Sequence, residues 1–223
     1  MNRVRKAAAL ASAFCLCIGL SACGSSAGET GTSDNEISQS ETSEVQNQTT
    51  SESEDSETVD SITENESDTL VVVFSATGTT KGVAEKIAAI EGADLYEIIP
   101  AEPYSDADLN WNDSNSRTTK EQNDSSSRPE IASDAIDLSA YSRIYIGYPI
   151  WWGEEPRIMD TFVESYDFGD ATVIPFCTSG GSGIGRSGKN LAENAGSGNW
   201  LDGTRHSGSI SEDELRSWIN GLK

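Results

Sequence analysis

The segment Leu70-Val71-Val72-Val73-Phe74 constrains this chain more than any other. Five apolar residues in succession, three of them valine, have no polar face to show water, so a strand made of them must be covered on both sides. A parallel sheet with helices on each face provides that cover. The next six residues form a hydroxyl-rich turn, and residues 81–91 carry Val83, Ile87 and Ile90 on one helical face. Strand, turn and helix then recur. Residues 95–99 (LYEII) read as a second strand, stopped by Pro100; residues 143–148 (RIYIGY) and 171–176 (ATVIPF) read as a third and a fourth. Between those two, Pro156 suits a helix start, with Ile158, Met159, Phe162 and Val163 facing inward. Residues 188–194 are a weaker helix, and Trp200-Leu201 opens a last strand. Ser211-Glu212-Asp213-Glu214 is a capping box for a final helix bearing Leu215, Trp218, Ile219 and Leu222. The alternation predicts an α/β fold, a doubly wound five-stranded parallel sheet of order 2-1-3-4-5 with helices on both faces. Residues 101–140 are discordant, being long and polar for a βα connection. A partial helix near residues 106–113 and a surface excursion beyond it are expected there.

The 223 residues divide into three parts. Residues 1–22 read as a lipoprotein signal peptide. Arg3, Arg5 and Lys6 precede an apolar run that is too short to span a bilayer comfortably but suits a signal sequence. It ends in Leu20-Ser21-Ala22-Cys23, which resembles the bacterial lipobox, so Cys23 is expected to carry lipid and hold the chain to the extracytoplasmic face of the cell membrane. Residues 23–68 are rich in Ser, Thr and Glu and contain no Lys or Arg, the composition of a disordered acidic tether. Residues 69–223 form the folded domain. The formal net charge of −22 argues against nucleic acid as a partner, because a polyanion repels phosphate. With Cys15 and Cys17 in the leader and Cys23 lipidated, Cys177 stands alone, and no internal disulfide is expected. His206 is the one histidine, which excludes a metal site built on several imidazoles. No catalytic residue is expected: neither Ser182 nor Ser187 sits in a G-x-S-x-G elbow.

Ligands of open α/β sheets bind beyond the carboxyl ends of the strands at the topological switch point. Three loops belong there. In Ser75-Ala76-Thr77-Gly78-Thr79-Thr80, backbone N–H groups and the dipole of the following helix point at one spot, hydroxyls add donors, and Gly78 lets the chain curl round an anion. The loop lacks the Gly-Lys-Ser/Thr of a Walker A motif. Pro149-Ile150-Trp151-Trp152-Gly153 puts two indoles at a strand end, where a flat ring is a natural partner and Gly153 admits close approach. Thr178-Ser179-Gly180-Gly181-Ser182-Gly183 is rich in glycine and lets backbone N–H groups reach a ligand. Gly183-Ile184-Gly185-Arg186-Ser187-Gly188 matches the dinucleotide fingerprint G-x-G-x-x-G, but it starts well past the strand end and no βαβ unit of the needed kind follows.

Together VVVFSATGTTKGVAEKIA, IYIGYPIWWGEEPRIMDTFVE and PFCTSGGSGIGRSGKNL resemble the bacterial flavodoxin-like proteins of the short-chain, FMN-binding kind, over essentially all of residues 69–223. The resemblance implies a noncovalently bound FMN. It implies that Ser75, Thr77, Gly78, Thr79 and Thr80 hold the phosphate, that Pro149, Ile150, Trp151, Trp152 and Gly153 flank one side of the flavin, and that Thr178, Ser179, Gly180, Gly181, Ser182 and Gly183 line its other rim. Glu154 and Glu155 are the carboxylates expected closest to the ring. Three functions fit: an electron carrier between redox partners, an FMN-dependent reductase of quinones or other small acceptors, and a lipoprotein binding module without cofactor. The membrane is reached through the N-terminal lipid only.

Overall fold

A computed structural model of the chain describes residues 67–222, all within the unit Asp60–Lys223. The signal peptide, Cys23 and nearly all of the tether lie outside the described residues. The central strand β1 (Thr69–Val73) pairs in parallel with β2 (Asp94–Glu97) on one side and β3 (Arg143–Pro149) on the other. β3 pairs with β4 (Thr172–Thr178), which carries the last edge in two pieces, β5 (Asn199–Trp200) and β6 (Thr204–His206). The order is therefore 2-1-3-4-5, all parallel, with the fifth strand broken.

The break has a local cause. Ala171 and Val173 turn their carbonyls to the fifth strand and accept from the N–H groups of Asn199 and Leu201. Two residues on, the same side of β4 presents Pro175, which has no N–H to give. The ladder stops there and resumes at Phe176 with Thr204. Gly203 bridges the gap by lying so close to Pro175 that a Cβ would meet its carbonyl oxygen at 3.0 Å.

Alternation along β1 sorts the core. Leu70, Val72 and Phe74 join the cluster covered by α3 (Arg157–Ser165) and α4 (Ser187–Ala195) through Ile158, Met159, Phe162 and Leu191. Val71 and Val73 join the opposite cluster, covered by α1 (Thr79–Glu91) and the last helix (Glu212–Gly221) through Val83, Ile87, Leu215 and Ile219. Each face of the sheet is thus sealed by two helices, as the unbroken apolar strand requires. The last helix starts on the expected capping box, with Ser211 and Glu214 bonded reciprocally. Among the described residues no helix is long and apolar enough to cross a membrane.

The 101–140 segment departs from expectation. Residues 106–113 form turns, and the helix, α2, lies at Arg117–Asn123. Asp and Asn side chains in the earlier stretch bond to nearby backbone and compete with helix: Asp108 accepts from the N–H of Ser105, Asn110 from that of Asn112 and Asp113 from that of Asn115. Ser116 then caps α2 by accepting from the Thr119 N–H. The excursion is pinched shut at its base by an antiparallel bridge between Pro100 and Ile131, so it is a closed loop with its own helix, which reconciles its length with an ordered domain.

Candidate functional site

The three loops leave adjacent strands β1, β3 and β4 at their carboxyl ends and touch one another. The Thr80 hydroxyl, in the first turn of α1, lies 2.8 Å from that of Thr178 at the end of β4, both buried. The Ile150 N–H donates to the Thr178 carbonyl at 2.9 Å, joining the second loop to the third. A Cβ on Gly185 would stand 3.4 Å from the Gly153 carbonyl oxygen, so the far end of the glycine loop also meets the tryptophan turn. Ala76 and Thr77 share a pocket of about 370 Å³ with Pro149, Ile150, Trp151 and Trp152. All three loops therefore come together at one edge of the sheet.

The first loop is open toward solvent and offers donors. Gly78 sits at φ 81°, the left-handed region that favours glycine, and as N-cap of α1 it brings no side chain to satisfy the first-turn N–H groups. Gly78 and Thr79 are exposed, so the positive end of the helix is open to solvent. The Thr77 and Thr79 hydroxyls lie 3.4 Å apart, both exposed, close enough to serve one anionic oxygen. Lys81, next along the helix, is engaged elsewhere: its ammonium donates to Glu97 at 2.6 Å, and that bond raises its pKa.

The second loop is a tight hairpin. Trp151 and Glu154 exchange both backbone hydrogen bonds at 3.0 Å, and the two residues between them, Trp152 at φ 50° and Gly153 at φ 87°, both take positive φ as a type I′ turn demands. Gly153 is thus required by the turn itself. Trp152 is the one non-glycine residue at positive φ among the described residues, a conformation costing about 1–2 kcal/mol for a residue with a Cβ. It is 44% exposed and lines the pocket. Trp151 behaves differently from its neighbour. It is half-buried, edge-on to Phe74 at 5.5 Å and to Tyr104 at 5.2 Å, so much of its indole belongs to the core.

The hairpin is clamped from outside. Gln122 of α2 donates through Nε2 to the carbonyls of Trp151 at 2.9 Å and Glu155 at 3.0 Å. Arg157 reaches Glu154 at 2.9 Å, Asp160 at 3.4 Å and Glu155 at 3.9 Å. Glu155 is 1% exposed and accepts from Asn190 of α4; burial pushes its carboxyl up to about 7, with Asp160 and Glu154 adding repulsion. Burial likewise raises Asp160. Both glutamates after the tryptophans are therefore tied into an ionic cluster beneath the hairpin.

The excursion supplies a further wall to the pocket: Leu109, Thr118 and Trp111, the last 72% exposed. None of these is marked by its sequence spacing, because their approach depends on how the excursion folds back. The one available signal was Trp111 itself, a large apolar residue in a polar stretch. Thr118 is pinned by its hydroxyl, which donates to the Asp108 carbonyl at 2.5 Å, and Arg117 stacks 4.1 Å over the Tyr104 ring.

In the third loop, Gly180, Gly181 and Gly183 have no left-handed φ, and a Cβ on any of them would meet nothing within 4 Å. Neither the turn geometry nor crowding by the protein accounts for glycine there. Ser179 bonds to the Ser182 carbonyl, and Arg205 donates to the Ser179 carbonyl at 3.0 Å. The loop ends at Ser187, whose buried hydroxyl donates to the Ile184 carbonyl and lies 3.0 Å from the Tyr148 hydroxyl, a structural anchor. Cys177 is fully buried, and burial pushes its thiol up to about 12, away from reactivity. His206 is buried against Trp218, 4.4 Å between ring centres, and burial lowers its pKa.

Residues 68–222, the whole of this sheet and its loops, match the family model described as Flavodoxin. The chain belongs to the flavodoxin family. Solved structures similar to this flavodoxin domain include a protein designated a flavoprotein from Bacteroides eggerthii DSM 20697. It is 45% identical, with a TM-score of 0.65, over 69% of this chain and 96% of that one. A protein of the same designation from Bacteroides uniformis ATCC 8492 is 46% identical, with a TM-score of 0.65, over 68% of this chain and 97% of that one. A flavoprotein of Lactobacillus acidophilus NCFM, solved in complex with FMN, is 28% identical, with a TM-score of 0.54, over 68% of this chain and 97% of that one. Among curated proteins none matches the chain.

Proposed function

We propose that this flavodoxin domain binds FMN without covalent attachment and transfers electrons between redox partners. The observation that carries the reading is the meeting of three loops at one sheet edge, with Ala76 and Thr77 of the hydroxyl turn opening into the same 370 Å³ pocket as the tryptophan hairpin. That volume suits a small cofactor. The residues present fit the group at both ends. For the phosphate there are first-turn N–H groups without a side-chain cap and the paired hydroxyls of Thr77 and Thr79, with Ser75, Gly78 and Thr80 completing the turn. For the ring there are Pro149, Ile150, Trp151, Trp152 and Gly153 on one side. On the other are Thr178, Ser179, Gly180, Gly181, Ser182 and Gly183, whose three glycines leave room for close backbone approach. The FMN bound by the Lactobacillus acidophilus relative supports the same cofactor here.

Bound FMN supplies one- and two-electron redox chemistry. The chain's own part is to hold and shield it. The hydroxyl turn fixes the phosphate, Trp152 and Trp111 cover apolar surface at the pocket mouth, and the clamped hairpin keeps that surface in place. Trp111 and Leu109 also give the pocket an apolar outer wall, the observation that favours small aromatic acceptors as a second reading. The purified chain is expected to be yellow, with near-UV and blue absorption bands, and to release FMN on denaturation. A colourless protein that ignores added FMN would leave a binding module without cofactor. Rapid NAD(P)H-driven turnover with a quinone would favour the reductase. We propose further, from residues 1–23, that the domain is exported and tethered by lipid at Cys23. Cys23→Ser should then move the protein from the membrane fraction to the soluble one and abolish labelling by fatty acid.

A further inference from the structure

Gly208 lies in the turn after β6, and its backbone runs against the hydroxyl turn at the other end of the domain sequence. A Cβ at 208 would meet Thr79 Cγ2 at 2.5 Å, closer than real Cβ atoms come, and the only other atom within 4 Å is Thr79 Cβ at 3.9 Å. Its φ is outside the left-handed region, so backbone conformation does not call for glycine. The requirement comes from one methyl group. The turn cannot easily retreat, because it is fixed on both sides. Ile210 N–H closes it onto the Ser207 carbonyl at 3.0 Å, and Lys86 of α1 donates to the Ile210 carbonyl at 2.8 Å. His206, just before it, pairs in the sheet with Thr178, whose hydroxyl meets that of Thr80.

A threonine's methyl and hydroxyl sit on one carbon, so whatever fixes the methyl also aims the hydroxyl. With Cγ2 seated on the Gly208 backbone, the Thr79 hydroxyl is turned to the Thr77 hydroxyl at 3.4 Å. We propose that Gly208 is a positioning residue of the anion cradle: its bare backbone seats the Thr79 methyl and so holds the Thr79 hydroxyl beside that of Thr77. Any side chain at 208 would push the methyl away and swing the hydroxyl out of the cradle. The inference rests on the reading that this turn holds the FMN phosphate, and it adds a further chain segment to the site.

A double-mutant cycle on the full chain tests it. Affinities for FMN and for riboflavin, which lacks the phosphate, are measured for the wild type, Gly208→Ala, Thr79→Ser and the pair, alongside melting temperatures. Gly208→Ala should weaken FMN binding by roughly tenfold, the scale of one forced rotamer change and a misdirected hydrogen bond, and leave riboflavin binding unaltered. In the Thr79→Ser background the methyl is gone, and adding Gly208→Ala should change FMN affinity less than about twofold. An equal loss on both backgrounds, or no loss on either, overturns the proposal. The rotamer can also be read without ligand, from three-bond couplings to Thr79 Cγ2. A single rotamer in the wild type that is lost in Gly208→Ala supports the proposal, and identical couplings in both overturn it. That readout stands even if the wild type takes no FMN, an outcome that would sink the cofactor reading alone.

Discussion

The hydroxyl turn and the tryptophan hairpin leave neighbouring strands and face the same pocket, yet they are held in opposite ways. The turn takes its backbone shape from its own residues, a buried strand, one left-handed glycine and a helix that starts without a side-chain cap, while distant Thr178 and Gly208 meet its side chains. The hairpin owes its place to partners far away in sequence, with Tyr104 and Phe74 against its first indole and Gln122 on its carbonyls, while nearby Arg157 gathers the acids beneath it. Damage to the turn should therefore weaken a ligand and spare the fold. Damage to the hairpin should do both.

Trp151→Ala puts the largest strain on that contrast. It removes an indole packed on two rings of the core, and loss of about 3 kcal/mol of unfolding free energy is expected by denaturant titration, together with weaker FMN binding. Thr77→Ala with Thr79→Ala should act on the ligand only. FMN affinity should fall about 100-fold, from lost hydrogen bonds to a charged group, with the melting temperature nearly unmoved. If the two variants lose stability alike, the division between a self-built turn and a braced hairpin is wrong.

The same division explains what could be read from sequence. The order of the strands, the two-faced core and the placing of all three loops follow from apolar runs and from turn residues, which are local signals. The first loop was legible down to its glycine. The excursion's helix lies later than the expected residues 106–113, because Asp and Asn side chains there capture backbone groups in turns, while the cap at Ser116 starts the helix. The split of the fifth strand turns on Pro175, a residue of the strand beside it. Trp111, Gln122 and Gly208 reach the site only through tertiary folding, and no spacing in the sequence announces them. In the sequence Glu154 and Glu155 are tied to the ring by adjacency alone; the hairpin's continuation carries Glu155 down against Asn190 of α4 and Arg157 of α3.

That buried acid gives the bracing a pH dependence. Glu155 has a folded pKa of about 7 against an ordinary value of 4.5, chiefly through burial. As pH rises across that interval the unfolded chain gives up the proton while the folded chain keeps it, so the native state loses stability until both forms are ionised. Glu155→Gln removes this titration. Its stability relative to the wild type should improve by about 3 kcal/mol between about pH 4 and about pH 8 in chemical denaturation. A flat difference would mean that Arg157 holds Glu155 ionised in the folded state. The smallest expected effect falls on the tip of the hairpin. Trp152→Asn places Asn-Gly in the type I′ turn and should raise stability by about 1 kcal/mol while weakening FMN binding. Stability gained with affinity unchanged would remove Trp152 from the ring site.

The proposal that one ligand spans both regions is tested most directly by titrating the flavin-free protein with FMN and with riboflavin while following tryptophan fluorescence. Both flavins should quench the indoles at one equivalent, since both carry the ring, and riboflavin should bind about 100-fold more weakly because the hydroxyl turn has no phosphate to hold. Equal affinities, or binding without quenching, would contradict it.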